Sequence, residues 1–277
     1  MKSKFTPLVA FIFSIGLAIP AEAQLLNNIG KKLEKKANDI IHKNSNKGQK
    51  AEPKINTSST SSVQNGPFPA HSVMNYDFTS GNIVFEDNFS NETIGNMATN
   101  WTSNGNGKVA NVNGFAGKWL QLIDQNTYKI KNSNGLPKNF TVELDVLVLD
   151  DGKKNVALDF GFDYKKGSNE HYYLADRNAI NVEASYRFDV FNFTSNELSS
   201  KKQSKIEGDM SYFVNDIMKL KIWVFGEQMK VYANEYKILD TEMSNPNSKK
   251  YFYIATENEK NAAQIYISNV RITDLGL

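Results

Sequence analysis

Four carboxylates sit at strand-like spacing in the middle of the chain. In FTVELDVLVL (140–149), Val142, Leu144, Val146 and Val148 share one face of an extended segment. Glu143 and Asp145 point the other way, because successive side chains of a strand alternate. In VALDFGFDY (156–164), Leu158, Phe160, Phe162 and Tyr164 alternate with Asp159 and Asp163. Paired as a hairpin across DDGKKN (150–155), the two segments would place all four acids on one outer face. Carboxylates so grouped accept hydrogen bonds from sugar hydroxyls, and an aromatic such as Trp223 stacks on a sugar ring. The candidate ligand-binding set is therefore Glu143, Asp145, Asp159, Asp163 and Trp223. The same pattern also suits a solvated sheet face that happens to carry acids.

Other chemistry is sparse, and no catalytic residue is named. The stretch IVFEDNFSNETIGNMATNW (83–101) carries the adjacent pair Glu86 and Asp87. Alternation sends Glu86 to solvent opposite Phe85. Asp87 falls at the strand end, where its side chain can accept from loop amides; a calcium-ligand role is the second choice. Absence of cysteine excludes disulfides, thiolate metal sites and a cysteine nucleophile. His42, His71 and His171 lie in three different regions, so histidine supplies no metal cluster. DDG (150–152) reads as a turn and lacks the oxygen spacing of an EF-hand. NGNGK (104–108) is Asn-rich, follows no phosphate-loop pattern and also reads as a turn. The sequence names no metal ligand.

The elements that must position these residues are short β-runs. KLKIWVF (219–225) and QMKVYA (228–233) flank Gly226-Glu227, and YKILD follows the turn Asn234-Glu235. YFYIAT (251–256) and QIYISNVRI (264–272) close the chain. No helix of ordinary length separates these runs, which points to an all-β antiparallel sandwich rather than a parallel sheet. That domain is expected over residues 75–277. Ahead of it, residues 44–74 are rich in Ser, Thr, Asn, Gly and Pro and are expected to form a flexible linker. Residues 24–43 have helical period, with Leu25, Ile29, Leu33, Ala37 and Ile40 three or four apart. Residues 24–50 hold seven lysines against Glu34 and Asp39. This predicts a basic amphipathic helix, either touching an anionic surface or partner or simply solvated. Residues 1–23 read as a signal peptide: Lys2 and Lys4, the apolar run Leu8–Ile19, Pro20, and the Ala21-Glu22-Ala23 cleavage site. The mature chain is then exported to the periplasm, outer membrane or medium, with no transmembrane segment. A formal net charge of +2 over 277 residues argues against a dedicated nucleic-acid binder.

Three pieces carry a family likeness: the opening VFEDNFS…NW, the central FTVELDVLV, and the late pair LKIWVFGEQMKVYANEYKILD. Together they resemble the concanavalin A-like lectin/glucanase jelly roll, the group that includes laminin-G-like sandwiches. A narrower likeness is to the sandwich preceding the OmpA-like domain in bacterial OmpA-family envelope proteins. Its motifs here are Phe85–Phe89, Trp101, Gly117–Leu120 and Ile267–Ile272. No OmpA-like domain follows in this sequence, so peptidoglycan anchoring does not carry over. The resemblance implies a jelly-roll β-sandwich whose concave outer face is the usual ligand surface, so that the candidate set would line a shallow carbohydrate groove. It also implies a glycan or protein ligand at the cell envelope, no cofactor, and room for one structural calcium. Glucanases of this class place carboxylates as E-x-D-x-E, or as a bulged E-x-D-x-x-E. Retaining chemistry needs two carboxyls about 5 Å apart. Here the third position is Leu147 or Val148, and an aliphatic group cannot protonate a leaving oxygen. The expectation is a non-enzymatic binding module. A divergent glycoside hydrolase or lyase, and an accessory protein docking through its N-terminal helix, are the alternatives.

Overall fold

The computed structural model describes residues 66–68, 80–150, 156–168, 179–258 and 263–276. The expected signal peptide, amphipathic helix and most of the linker lie outside the described residues. Strands follow in the order β1 (Asn82–Asp87), β2 (Trp101–Ser103), β3 (Gly107–Val112), β4 (Phe115–Leu122), β5 (Thr127–Ile130), β6 (Phe140–Leu149), β7 (Val156–Asp163) and β8 (Ile180–Ser185). Then come β9 (Val190–Ser195), β10 (Lys202–Glu207), β11 (Ile217–Phe225), β12 (Gln228–Ala233), β13 (Tyr236–Glu242), β14 (Tyr251–Asn258) and β15 (Gln264–Asp274). A single 3-10 turn, Met210–Phe213, sits between β10 and β11. Among the described residues no helix is long and apolar enough to cross a membrane.

The strands form two antiparallel sheets. The first, of eight strands, runs β13-β12-β11-β6-β15-β4-β3, with β1 also paired to β15. The second, of seven, runs β10-β9-β8-β7-β14-β5-β2. The all-β sandwich expected from the period-two pattern is what forms. Alternation explains the core. Val142, Leu144 and Val146 of β6 and Leu220, Ile222 and Val224 of β11 point inward from the first sheet. Leu158, Phe160 and Phe162 of β7 and Phe252 and Ile254 of β14 meet them from the second. Phe140 and Phe162 meet edge-on across the gap, 5.1 Å between ring centroids, the geometry that aromatic quadrupoles prefer. Gly226 and Asn234 adopt positive φ (60° and 51°) at the two tight connections of β11-β12-β13, where such conformations cost least for these residues.

Strand pairing departs from expectation at one place that matters for the site. β6 pairs with β11 and β15, whereas β7 pairs with β8 and β14. The expected pairing of these two strands does not form: β6 belongs to the first sheet and β7 to the second. Both strands carry one apolar face, and each buries it against the opposing sheet. Their polar faces consequently point out of opposite sides of the sandwich.

Candidate functional site

The outer face of the first sheet holds an ordered ladder of charge. Glu143 lies beside Lys221 of β11 on one side and Arg271 of β15 on the other, and Arg271 lies beside Glu86 of β1. The row reads Glu86, Arg271, Glu143, Lys221 across four strands. Arg271 donates to Glu86 Oε1 through both Nη2 (2.6 Å) and Nε (3.0 Å). Lys221 forms an ion pair with Glu143. One step along, Asp145 stands between Ser268 and Lys219. β15 bulges between Ser268 and Arg271. Asn269 in the bulge takes φ 51° and donates its amide to Asp145 Oδ2 at 2.8 Å. A bulge re-aims a side chain in this way without ending the ladder. All of these groups except Ser268 line an open depression of about 410 Å³, together with Asn88. Two neighbouring depressions border the loop that follows β1 and share Asn88 and Ser90; one takes in Glu92, Thr93 and Thr99, the other Asn111, Lys118 and Ser268.

Glu143 and Asp145 thus reach one polar groove, as alternation predicted. Trp223 stands on the same face of β11, one side-chain row from Lys221, beside but outside that groove. Its ring stacks on Phe225, with centroids 5.7 Å apart and planes within 12°. The Lys230 ammonium sits 4.7 Å from the ring centroid. The indole Nε1 is buried without a hydrogen-bond partner. A sugar reaching the ring face under Lys230 has to displace a cation–π contact worth roughly 0.5–1 kcal/mol.

Asp159 and Asp163 are on the other sheet and do not join this groove. Their own face is largely covered. Asp163 is ion-paired with Lys129, which is 3% exposed and also donates to the Lys165 carbonyl at 2.7 Å. A buried pair with its remaining valences satisfied is a structural unit. Asp159 is 4% exposed and accepts from Asn181 Nδ2 at 3.0 Å, and Asn181 in turn accepts from the Tyr253 hydroxyl. Burial pushes the Asp159 carboxyl up to about 7; the Asn181 hydrogen bond opposes this, while Glu183 and Glu257 add to it. Glu183 lies directly across the β7–β8 ladder from Asp159. A small cavity of about 150 Å³ nearby is lined by Glu183, Glu257, Arg187 and Phe188 among others.

The opening pair separates as alternation requires. Glu86 faces outward in the charge row. Asp87 is buried and accepts from the Phe89 amide (2.9 Å), the Trp101 indole Nε1 (3.1 Å) and the Asn100 amide (3.4 Å). It fastens the loop that runs from β1 to Trp101. Lys118 of β4 closes the same loop, donating to the carbonyls of Ser90 (2.9 Å) and Glu92 (2.7 Å). Among the described residues, no group of three or more His, Asp and Glu side chains is placed to hold a metal ion.

Sequence reasoning missed Lys221, Lys219, Asn269 and Arg271. A usable signal existed for each: the lysines alternate with Leu220 and Ile222, and Asn269 and Arg271 stand in the terminal strand ISNVRI.

No protein-family model matches the chain, and no curated protein matches its sequence. Solved structures with a similar layout include a carbohydrate-binding module, CBM66, from Bacillus subtilis (18% identity, 64% of this chain and 96% of that chain, TM-score 0.44). Another is the Ca2+-bound exoplasmic/lumenal domain of VIP36 (11% identity, 70% and 90%, TM-score 0.49). A third is a legume lectin-like domain from Entamoeba histolytica (12% identity, 64% and 91%, TM-score 0.46). At these identities the likeness concerns the layout of strands alone.

Proposed function

We propose that this chain is a non-enzymatic carbohydrate-binding module and that its ligand lies in the groove on the outer face of the first sheet. The observation that carries this reading is the ladder Glu86–Arg271–Glu143–Lys221 with Asp145–Asn269 beside it. Carboxylates, an amide and cations alternate there, each held in place by its neighbour. Side chains fixed in this way accept from and donate to the vicinal hydroxyls of a sugar with little ordering cost. The stacked pair Trp223 and Phe225, the latter 43% exposed, borders the groove with flat apolar surface. Export to the cell envelope or medium through residues 1–23 belongs to the same proposal, as does an envelope glycan as ligand. The narrower resemblance to OmpA-family sandwiches rests on sequence motifs alone.

The hydrolase alternative fits the groove poorly. The side chain two positions beyond Asp145 on the same face is Leu147, fully buried in a small apolar cluster with Val112, Trp119 and Tyr266. An oil-like patch therefore stands where a third carboxyl would be required. On the opposite sheet Asp159 carries a proton near neutrality, as a general acid does. At 4% exposure, however, it offers no approach for a glycosidic oxygen.

The test is a glycan array followed by calorimetric titration of hits, with Glu143→Gln as the variant. Loss of one charge-assisted hydrogen bond should weaken binding roughly 10- to 100-fold without altering the melting curve. Absence of binding to any glycan, or identical affinity in Glu143→Gln, retires the proposal. Reducing-sugar release from polysaccharides would instead favour the hydrolase.

A further inference from the structure

Residues 66–68 lie within the segment expected to be a linker, yet Phe68 is part of the sandwich core. Its ring is 1% exposed and packs against Phe191 of β9 (6.2 Å between centroids), Phe213 of the 3-10 turn (6.1 Å) and Tyr236 of β13 (5.7 Å, edge-on). β13 and β10 are terminal strands of the two sheets, and β9 is next to β10. Phe68 therefore fills the mouth of the sandwich at that edge.

The receiving site is shaped for this occupant on both sides. A Cβ at Gly208 would come within 2.3 Å of the Phe68 ring and 2.7 Å of the Pro67 carbonyl oxygen. A Cβ at Gly66 would come within 2.3 Å of the Tyr236 hydroxyl. One backbone hydrogen bond sets the register: the Asp209 amide donates to the Pro67 carbonyl at 2.9 Å. That amide is held in position independently of the occupant. Gly208 donates to the Asp189 carbonyl (2.9 Å), Met210 donates to Asp189 Oδ1 (3.0 Å), and Asp209 Oδ1 caps the turn by accepting from the Ser211 amide (3.0 Å). An aromatic-lined slot beside one aligned main-chain donor is the arrangement by which short extended peptides are read.

We propose that this edge is a peptide-recognition site for a Gly-Pro-Phe segment, and that residues 66–68 are its occupant in cis. Phe68 is the anchor, the Pro67 carbonyl supplies the register, and Gly66 permits the close pass beneath Tyr236. A second copy of this chain presents the identical segment, and that segment competes for the slot whenever the cis segment is displaced. The site lies at the β13 edge, two strands from β11 of the charged groove, and does not depend on that groove binding glycan.

The experiment uses the full chain carrying Phe68→Ala and a labelled synthetic peptide of residues 61–73. The peptide should bind Phe68→Ala in fluorescence anisotropy and raise its melting temperature in a dose-dependent way. The wild-type chain should bind it roughly tenfold or more weakly, because its own tethered segment competes at high local concentration. A peptide with Ala in place of Phe should bind neither chain. If Phe68→Ala does not fold alone, the peptide should restore its folded circular dichroism spectrum. The proposal is overturned by any of three results: no binding to or rescue of Phe68→Ala, equal binding to both chains, or binding by the Ala peptide.

Discussion

Replacing Asp159 by Asn should stabilise the protein, and by an amount that grows with pH. Burial lifts the Asp159 carboxyl from the ordinary 3.8 to about 7. Between those values the folded chain holds a proton that the unfolded chain has released, so unfolding stability falls as pH rises. Below about pH 4 both states are protonated and the group is neutral to stability. Above about pH 7 both are ionised and the full cost is present. At about 1.36 kcal/mol per pH unit, that cost is about 4 kcal/mol, of which about 3 kcal/mol accrues between pH 5 and pH 8. Asparagine keeps the carbonyl oxygen that accepts from Asn181 Nδ2 and removes the titration. Urea unfolding of both proteins at pH 5 and pH 8 tests this. The advantage of Asp159→Asn should widen by about 3 kcal/mol over that interval with m-values unchanged. An advantage that is constant with pH would mean that Asp159 ionises normally in the fold, and would refute the reasoning.

Other substitutions test the remaining contacts. Lys129→Met leaves the Asp163 carboxylate buried without its cation and should cost about 3–5 kcal/mol in chemical denaturation; adding Asp163→Asn should recover much of that. Gly161→Ala brings a Cβ within 2.2 Å of the Ile180 carbonyl at φ 152°, and should lower stability by about 1–3 kcal/mol. Lys118→Met removes two charge-assisted hydrogen bonds from the loop after β1. Faster amide exchange there, with the rest of the sandwich unchanged, is the expected result.

Strands with clean alternation were legible in the sequence. FTVELDVLVL coincides with β6, QMKVYA with β12, and YFYIAT and QIYISNVRI fall within β14 and β15. β2 (WTS) and β10 (KQSKIE) carry one apolar residue each, Trp101 and Ile206, too few for periodicity to mark them. Pairing was the larger gap. Whether Glu143 and Asp159 share a face depends on which sheet β7 enters, and that is decided by contacts with β14, about ninety residues further along the chain. Local pattern holds no such information. Phe68 was missed for the opposite reason: composition averaged over 44–74 hid one buried aromatic bracketed by prolines. In the groove, Glu143 and Asp145 followed from alternation alone. Their partners Lys221, Arg271 and Asn269 needed the ladder register and, for Asn269, the bulge in β15.

The Lys118 contact with the Ser90 and Glu92 carbonyls has a consequence for how the loop beside the groove responds to its surroundings. A dissociable ion on those two oxygens would support the loop by an amount that rises and falls with its own supply, following mass action. An ammonium carried on the chain has no such concentration dependence. Dilution cannot wash it out and a chelator cannot remove it. Through these two bonds the loop keeps the same support in a medium depleted of divalent ions as in one rich in them, which is an advantage for a protein proposed to work in a compartment whose ionic content the cell does not control.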